Sequence, residues 1–405
     1  MRVFLSTGEP SGDLHAANLI HALRALRPDA SFHGYGGPKM KAAGADVLYP
    51  LTDLAVMWFG RVLLNIRTFL GLVDRAADWF DQHRPDVVVV IDYPGFNWWI
   101  ARKARARGIP VVYFVPPQIW AWAGWRIKKI KRDFNLVLCS LPFEPAWYAA
   151  RGFDHAEYIG HPYFDELAER VLDHAFVDAE LAKAGRVVAL LPGSRTQEVH
   201  KNLPIMLRAA AKLHRLQPDV RCEVACFNDK HRAIAQTLRD ALDPAGALPI
   251  TLHVARTPEL IRVAELAWAK SGSSGLELLN EALPAVVLYK IGRFDLWVAR
   301  QFIKSKYISL VNLLADREIF PEYLTPIDVS DQLADWAARL LADPAARAAK
   351  ADELRALRDV VAKPGATPRA AARIVALADG QSAPRTPFRP PHASKSHADA
   401  ASPRP

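Results

Sequence analysis

The sequence alternates short apolar runs with longer segments in which apolar residues recur at helical spacing. The run VVVVI at residues 87–91 is apolar at every position, which suits a strand buried on both faces of its sheet. Comparable runs occupy residues 3–6, 111–115 and 136–140, and a second series follows at residues 186–191, 220–225, 250–254, 266–270 and 285–289. Strands that alternate with helices predict parallel sheets with helices on both faces.

The two series of strands predict two domains. We expect an α/β fold with two Rossmann-like domains, residues 1–165 and 166–342, facing across a cleft. Residues 343–378 predict C-terminal helices with a break near Pro364. Residues 379–405 have almost no large apolar side chains and predict a disordered tail. Because ligands bind at the carboxyl ends of strands in open parallel sheets, the turns that follow the strands are the candidate sites.

Composition narrows the class of protein. With 405 residues, 51% of them hydrophobic, the chain can bury a large core, while runs such as VVVVI are far shorter than the roughly 20 residues that cross a bilayer. The N-terminal MRVFLSTGEPSG lacks the regions of a signal peptide, which favours a cytoplasmic protein. Cys139, Cys222 and Cys226 form no CxxC pair, which argues against a disulfide framework or zinc site. The formal charge of +9 indicates an anionic partner: nucleic acid, a phosphorylated substrate or an acidic membrane face.

The first strand runs into the motif STGEPSGDLHAANLI. Gly8 and Gly12 permit close approach of the backbone to a ligand, while Glu9 and Asp13 place carboxylates beside it. Ser11 or Asp13 also suits the cap of the next helix, so a well-capped turn without a ligand explains the same residues. The spacing is not GxGxxG and does not indicate a dinucleotide.

Asp92 follows the fully apolar strand and precedes Pro94 and Gly95. A carboxylate at this position is unfavourable unless it faces a cleft, is paired or accepts hydrogen bonds. Asp92 is therefore a candidate general base, and capping of the following helix is an equal alternative.

Two later turns carry residues suited to an anion. In LLPGSRTQEVH, Gly193 permits close approach and Ser194 offers a hydroxyl at a helix N-terminus. Arg195 can donate two hydrogen bonds to phosphate, or it can pair with Glu198 instead. In KSGSSGLE, the amides of a small polar loop can face a diphosphate; its members are Ser271, Gly272, Ser273, Ser274 and Gly275. Glu277 suits the hydroxyls of a ribose, or simply the positive end of its helix. Together the two turns predict a nucleotide-diphosphate site.

Two regions suit a membrane surface. Residues 54–73 are unusually apolar, which predicts either a buried helix or a segment that enters the lipid interface with Arg61 near lipid phosphates. The inserted side chains would be Met57, Trp58 and Phe59. Residues 98–132 hold five of the eleven tryptophans, Trp120 among them, mixed with basic residues. That mixture also suits single-stranded nucleic acid, but no RRM, KH or zinc-knuckle signature accompanies it.

The chain resembles the lipid-A-disaccharide synthase family, whose members are glycosyltransferases of the GT-B type. The resemblance extends from residue 1 to about residue 377. It is carried by the motifs GEPSGDLHAANLI, HGYGGPKMKAAG, IDYPGFN, VPPQIWAW, LPFEPAWY, YIGHP, LLPGSRTQEV, KSGSSGLE and YISLVNLLADREIFPEYL.

The resemblance implies an inverting hexosyltransferase of lipid A and lipopolysaccharide biosynthesis. Such an enzyme moves 2,3-diacylglucosamine from UDP to the 6-hydroxyl of 2,3-diacylglucosamine 1-phosphate, which gives a β-1,6 disaccharide and UDP. The implied catalytic residues are Asp92 as the base, Arg195 and Glu9. The implied nucleotide-binding residues are Gly193, Ser194, Arg195, Ser271, Gly272, Ser273, Ser274, Gly275, Glu277 and Asn312. The implied substrate-binding residues are Gly8, Ser11, Gly12, Asp13, Met57, Trp58, Phe59, Arg61 and Trp120.

The resemblance also bears on cofactors and partners. No cofactor or metal is expected, because helix N-termini and an arginine supply the positive field that the leaving diphosphate needs. Lipid substrates imply peripheral association of a cytoplasmic protein with the inner membrane. A homodimer formed through the C-terminal part is implied, and no nucleic acid is expected.

Three positions depart from the family's usual sequence. Trp58 stands where glycine is usual, Arg61 where glutamate is usual, and Thr325 where glutamine is usual. The first two leave acceptor and acyl-chain recognition open. Two other functions also stay open: a UDP-sugar epimerase of the same fold, and a divergent non-catalytic protein that binds a membrane surface or nucleic acid.

Overall fold

The computed structural model describes residues 1–55, 66–302 and 305–380, and the chain divides into two compact units. The first unit consists of Met1–Pro117, Trp125–Gly160 and the residues from Thr367 onward. The second unit consists of Gln118–Gly124 and His161–Ala366. Residues 381–405, which make up most of the predicted tail, lie outside the described residues.

Each unit contains one β-sheet whose neighbouring strands run parallel. The strands, numbered along the chain, are β1 (Arg2–Thr7), β2 (Ser31–Tyr35), β3 (Asp46–Tyr49), β4 (Val87–Ile91), β5 (Val111–Phe114), β6 (Leu136–Cys139), β7 (Ala156–Tyr158), β8 (Arg186–Leu191), β9 (Val220–Cys226), β10 (Ile250–Val254), β11 (Leu266–Lys270), β12 (Ala285–Lys290) and β13 (Glu322–Thr325). All nine predicted strands are confirmed, and β2, β3, β7 and β13 are additional.

Helices connect the strands. Numbered along the chain, they are α1 (Pro10–Leu26), α2 (Pro38–Ala42), α3 (Leu51–Ala55), α4 (Ile66–His83), α5 (Pro94–Arg105), α6 (Ile119–Trp122), α7 (Ile127–Asp133), α8 (Glu144–Ala149), α9 (Tyr163–Glu169), α10 (His174–Leu181), α11 (Thr196–Leu216), α12 (Asp229–Leu242), α13 (Thr257–Val263), α14 (Ser274–Asn280), α15 (Arg293–Phe302), α16 (Leu310–Ala315), α17 (Ser330–Ala342), α18 (Pro344–Val361) and α19 (Ala366–Ala378). A 3₁₀ turn occupies Gly124–Arg126.

Each sheet reverses its strand order once. The first sheet has the order β3-β2-β1-β4-β5-β6-β7, and the second has the order β10-β9-β8-β11-β12-β13. The reversal lies between β1 and β4 in the first sheet, where Thr7 pairs with Ile91. In the second sheet it lies between β8 and β11, where Leu191 pairs with Ala269. Helices leave such a pair of strands on opposite faces, so a crevice opens at their carboxyl ends.

The core of the first unit includes the last helix. Ala370, Ala371 and Ile374 of α19 are fully buried in the same cluster as Val3 and Leu5 of β1. The predicted C-terminal helices are present as two helices, α18 and α19, with a break between them. They divide between the units, because α18 instead contributes to a core of the second unit. This division differs from the predicted boundaries, which placed both helices in one C-terminal segment.

The second unit has a core on each face of its sheet. On one face, α11 and α17 cover β8, β9 and β11, with Met206 and Trp268 fully buried. On the other face, Leu260 of α13 and Leu276 of α14 pack against the alternate residues of the same strands. Covering both faces is what allows the strands to be apolar throughout.

A charged cluster lies beside α10 in the second unit. Arg221 donates hydrogen bonds to Glu180 and Glu223, and Glu223 lies 2.7 Å from Nε2 of His253. Burial alone would raise the pKa of the Glu180 carboxyl, but hydrogen bonds from Lys183 and Arg221 outweigh it and hold the pKa below its usual value.

The predicted membrane-facing region is described in part. No helix among the described residues is both long enough and apolar enough to cross a bilayer. Of residues 54–73, the stretch 56–65 lies outside the described residues. From Ile66 the chain forms α4, in which Leu72 and Val73 are buried while Leu70 is half exposed. The described end of this region therefore has one face in the core and one face outside it.

Candidate functional site

The turn after β4 has an unusual backbone. Asp92 and the next residue, Tyr93, both have φ of 44°, a left-handed conformation that residues other than glycine rarely adopt. Asn97 of α5 holds this turn, because its Nδ2 donates to the carbonyl oxygens of Asp92 at 2.9 Å, Ser6 at 3.1 Å and Ile91 at 3.2 Å. One fully buried amide thus ties the ends of β1 and β4 to the strained turn.

Further contacts fix the same turn. The Ser6 hydroxyl donates to Oδ1 of Asn97 at 2.7 Å, and the Tyr113 hydroxyl donates to the Asp92 carbonyl at 3.0 Å. Burial raises the pKa of the Tyr113 phenol well above its usual value, and the charge of Asp92 adds to that shift. The half-buried Asp92 carboxylate therefore projects from a backbone that is held on several sides.

Gly8 and Glu9 lie against this turn. A Cβ on Gly8 would lie 2.4 Å from the ring of Tyr93, so only glycine fits there. Glu9 is the N-cap residue of α1, and its carbonyl accepts a hydrogen bond from the Asp13 amide at 2.9 Å. Burial and the charge of Glu9 both raise the pKa of Tyr93. Two predicted catalytic carboxylates, Glu9 and Asp92, are therefore on adjacent turns at the reversal of the first sheet.

Gly12 and Asp13 have structural roles that differ from the predicted contact with substrate. A Cβ on Gly12 would lie 2.1 Å from Oγ1 of Thr7, so Gly12 lets α1 pack closely on β1. Asp13 is 2% exposed, and its carboxylate accepts the amides of Gly37, Lys39 and Met40 at 2.8 to 3.1 Å. These bonds anchor the start of α2 and leave the carboxylate no exposed face. Ser11, in the first turn of α1, is exposed.

In the turn after β8, Glu198 pairs with a residue other than Arg195, so the ion pair that was the alternative to phosphate binding by Arg195 is not formed. Gly193 has φ of 122°, and both Ser194 and Arg195 are exposed. Glu198 accepts the backbone amide of Arg195 at 3.2 Å and pairs with Lys270 at 2.9 Å. In the part of the chain that the structure describes, no carboxylate pairs with the Arg195 guanidinium.

The turn after β11 lies beside it on the neighbouring strand. The Ser271 hydroxyl donates its proton to the carbonyl of Ile308 at 2.6 Å, so this hydroxyl cannot also donate to a ligand. The amide of Gly275 donates to the carbonyl of Gly272, so it is also occupied. Other amides have no protein acceptor within the described residues and stay available to a ligand; they are those of Ser194, Ser273 and Ser274.

Glu277 is held by two donors. The Tyr163 hydroxyl donates to its Oε1, and Arg170 donates to its Oε2 at 2.6 Å. Burial raises the pKa of Tyr163 far above its usual value, with the Glu277 charge as the next cause. Each carboxylate oxygen can accept two hydrogen bonds and here accepts one, so each has capacity for a second donor such as a hydroxyl.

Asn312 has another role than the predicted contact with nucleotide. It is fully buried, and its Oδ1 accepts the amides of Ile319 and Phe320 at 2.8 and 2.9 Å. Its Nδ2 donates to the Phe320 carbonyl and to Glu322, both at 2.7 Å. An amide side chain can accept two hydrogen bonds and donate two, so the Asn312 side chain has no capacity left for a nucleotide. Its role is to hold the segment before β13 in place.

Comparison with known proteins decides the family. A family model described as lipid-A-disaccharide synthetase matches residues 3–363. The chain belongs to this family. It is 36% identical over 381 residues to lipid-A-disaccharide synthase of Anaeromyxobacter dehalogenans strain 2CP-1, covering 93% of this chain and 97% of that protein. It is 34% identical over 377 residues to the Myxococcus xanthus protein of the same name, with the same coverage.

Solved structures support the fold. A Staphylococcus aureus MnaA–UDP structure has a TM-score of 0.64 at 12% identity, covering 96% of this chain and 100% of that chain. Acinetobacter baumannii MurG has a TM-score of 0.58 at 15% identity, covering 92% of this chain and 99% of that chain. The predicted α/β fold of the GT-B type is thereby confirmed. The family match confirms a glycosyltransferase and favours it over the epimerase and the non-catalytic binding protein.

In this member of the lipid-A-disaccharide synthetase family, not all predicted site residues belong to the described part of the chain. Met57, Trp58, Phe59 and Arg61 lie outside the described residues. Trp120 is half buried in α6, a short helix that groups with the second unit. The described residues contain no cluster of His, Cys, Asp and Glu suited to a metal ion, and the expectation of metal-independent catalysis stays a prediction.

Two residues at or beside these turns, Asn97 and Lys270, were not predicted as site residues. Asn97 belongs to the motif IDYPGFN, but nothing in its spacing reveals that its amide reaches a carbonyl of each of two strands and one of the turn between β4 and α5. Lys270 ends an otherwise apolar strand, and a charge at such a position is the signal that identified Asp92.

Proposed function

We propose that this protein transfers 2,3-diacylglucosamine from UDP to the 6-hydroxyl of 2,3-diacylglucosamine 1-phosphate, giving the β-1,6 disaccharide 1-phosphate of lipid A and UDP. The observation that carries the proposal is the family match over residues 3–363. The positions of several candidate residues support it, because Glu9 and Asp92 follow β1 and β4 of the first unit, and Arg195 and the loop of residues 271–275 follow β8 and β11 of the second. Each set is thus at the reversal of strand order, where open α/β sheets bind ligands.

The proposed reaction is a single displacement with inversion. Oxygen O6 of the acceptor attacks C1 of the donor sugar, the bond from C1 to the diphosphate oxygen breaks, and the hydroxyl proton passes to Asp92. A general base must be held in a fixed position to act. The hydrogen bonds of Asn97 and Tyr113 to the Asp92 carbonyl supply that rigidity, and Glu9 is the neighbouring carboxylate that can orient the sugar.

The leaving diphosphate needs compensation for its growing charge. Arg195 is suited to this because its guanidinium has no carboxylate partner among the described residues. The open amides of Ser194, Ser273 and Ser274 are suited to the phosphate oxygens. Glu277, held by Tyr163 and Arg170, would accept hydrogen bonds from the ribose.

Peripheral association with the inner membrane is part of the proposal, as is a dimer formed through the C-terminal part. A net charge of +9 favours an anionic lipid surface. Trp99 and Trp125 of the first unit are 49% and 66% exposed, and the Arg126 guanidinium lies 5.2 Å from the centre of the Trp125 ring. Exposed tryptophans beside basic side chains suit a lipid–water interface.

The experiment that tests the function combines purified protein with both acylated substrates. UDP release should require donor and acceptor together, and the product should be the disaccharide 1-phosphate. Release of UDP without acceptor, or an epimerised UDP-sugar from donor alone, would contradict the proposal.

Two substitutions test the proposed roles. Asp92→Ala should abolish turnover and leave UDP affinity within a few-fold, because the base acts on the acceptor. Arg195→Ala should lose about 2 to 4 kcal/mol of transition-state stabilisation, as for the removal of one oxyanion donor. Arg215→Ala is the matched control, since Arg215 is exposed near the other end of α11. Full activity of either site variant would remove that residue from the mechanism.

A further inference from the structure

Lys270 and Glu198 form an ion pair between the two turns that follow β8 and β11. The Lys270 ammonium lies 2.9 Å from Oε1 of Glu198. The Lys270 side chain is 19% exposed and that of Glu198 is 10% exposed, so neither charge is fully solvated. On its other side, the ammonium lies 5.6 Å from the centre of the Tyr289 ring on β12. The pair is therefore fixed in place at the strand-order reversal of the second sheet.

Two glycines of these turns lie close against this pair. A Cβ on Gly193 would lie 2.4 Å from Oε2 of Glu198, and a Cβ on Gly272 would lie 3.2 Å from Nζ of Lys270. Glycines at both positions keep side chains away from the charges. The ammonium has three protons and Glu198 accepts one, so other protons remain for an acceptor at the surface of the turns.

Glu198 raises an electrostatic problem for a diphosphate at this edge. Its carboxylate holds the Arg195 amide at 3.2 Å, so it sets the backbone of the turn that carries the proposed phosphate ligand. A negative charge in a poorly solvated place beside those amides would repel a diphosphate. Lys270 neutralises that charge, while the carboxylate still accepts the hydrogen bond from the Arg195 amide.

We propose that Lys270 is a further binding residue for the leaving diphosphate and that Glu198 is the positioning residue that orients it. This inference rests on the proposed function, because it needs a diphosphate at the turns after β8 and β11. It adds a second cation to Arg195. It also assigns specificity: the pair recognises the charged diphosphate and contributes nothing to binding of the nucleoside.

The experiment measures binding of UDP and of uridine to the full-length protein. The variants are Lys270→Met, the double variant Lys270→Met with Glu198→Gln, and the control Lys212→Met. Lys212 is also an ion-paired lysine, bonded to Asp331, and it lies on α11 about 24 Å along the helix from its start. UDP is titrated by calorimetry, uridine by ligand-detected NMR, and folding is checked by circular dichroism.

We expect Lys270→Met to bind UDP about 10- to 100-fold more weakly, the effect of losing one hydrogen bond to a charged group. Uridine affinity should stay within about twofold, because uridine has no phosphate to meet the lysine. The double variant should recover part of the loss, since it leaves no unpaired carboxylate beside the diphosphate. If Lys270→Met fails to fold, the double variant alone should still show weaker UDP binding with unchanged uridine binding.

Several results would overturn the inference. UDP affinity of Lys270→Met or the double variant equal to that of wild type would remove Lys270 from the diphosphate. Equal losses for UDP and uridine would show that the pair only maintains the fold. A wild-type protein that binds no UDP would instead refute the proposed function and this inference with it, which separates the two failures.

Discussion

Replacing Asn97 with alanine removes the side chain that joins the ends of β1 and β4 to the turn of Asp92. Two kinds of contact are lost: the two protons of Nδ2 are shared among three carbonyl oxygens at 2.9 to 3.2 Å, and Oδ1 accepts from the Ser6 hydroxyl at 2.7 Å. Both Asn97 and Ser6 are fully buried, so water cannot replace the lost partners without entering the core. Two amide protons and one accepted hydroxyl proton make three hydrogen bonds, so at about 1 kcal/mol for each bond the first unit should lose about 3 kcal/mol of unfolding free energy.

The same substitution should impair catalysis. Asp92 and Tyr93 are held at positive φ, a conformation about 1 to 2 kcal/mol less favourable per residue. Without Asn97 the turn can relax and move the carboxylate, and a displacement of about 1 Å can lower turnover about a hundredfold. UDP affinity should not change, because the proposed diphosphate turns belong to the second unit.

The assay is urea unfolding followed by circular dichroism and fitted with one transition for each unit, together with initial rates of UDP release. Asn135→Ala is the matched control: it deletes a single hydrogen bond to the Val111 amide at 3.0 Å and should cost about 1 kcal/mol with normal turnover. A loss below about 1 kcal/mol for Asn97→Ala, with turnover like that of the control, would refute the argument that this amide holds the catalytic turn.

Three further outcomes are expected. Gly12→Ala should destabilise the first unit by about 1 to 3 kcal/mol, because its Cβ would overlap Thr7, whereas Gly71→Ala should not, because no described residue lies within 4 Å of its Cβ; thermal unfolding distinguishes the two variants. Asp13→Ala should lower the unfolding free energy by about 2 to 4 kcal/mol by freeing three amides, and a change below about 1 kcal/mol in urea unfolding would contradict this. Glu180→Gln should be less stable than wild type at neutral pH. Since the pKa of Glu180 is lowered on folding, its stabilisation is present above the unfolded pKa of about 4.3 and is lost as the pH falls through the folded pKa. The difference between the two proteins in urea midpoint should therefore shrink in acid, and a constant difference would count against the ion pairs.

Most of the predicted strands share a property that the unpredicted ones lack. Val87–Ile91 and seven of the other eight are buried along most of their length, as expected of apolar strands covered on both faces. The exception is β10 (Ile250–Val254), an edge strand in which only Ile250 is buried. By contrast, β2 (Ser31–Tyr35) is interrupted by histidine and glycine, and β7 and β13 are short strands at the edges of their sheets. Such strands are stabilised by pairing with a neighbour, and that information is not local.

The candidate site divides in a similar way. Residues that act through backbone freedom or a strand-end charge, such as Gly193, Arg195 and Asp92, carry a local signal and were predicted. Asp13 and Asn312 carry similar signals, yet their side-chain oxygens already accept hydrogen bonds from backbone amides. For Asp13 these amides lie more than 20 residues along the chain, and for Asn312 they lie in the following loop. Local sequence cannot tell an open carboxylate or amide from one that is fully hydrogen-bonded, because the partners are brought by the fold.

By itself the sequence determined the two parallel α/β units, the turns at which polar residues follow buried strands, and the family. Those features depend on the period of apolar residues and on residue types at strand ends, which are local properties. The tertiary structure alone decided that Glu198 pairs with Lys270 and that, among the described residues, Arg195 has no carboxylate partner. It also decided that Asn97 holds the turn of Asp92 and that the last helix returns to the first unit. Each of these is a choice among partners distant in sequence, made by the packing of strands and helices.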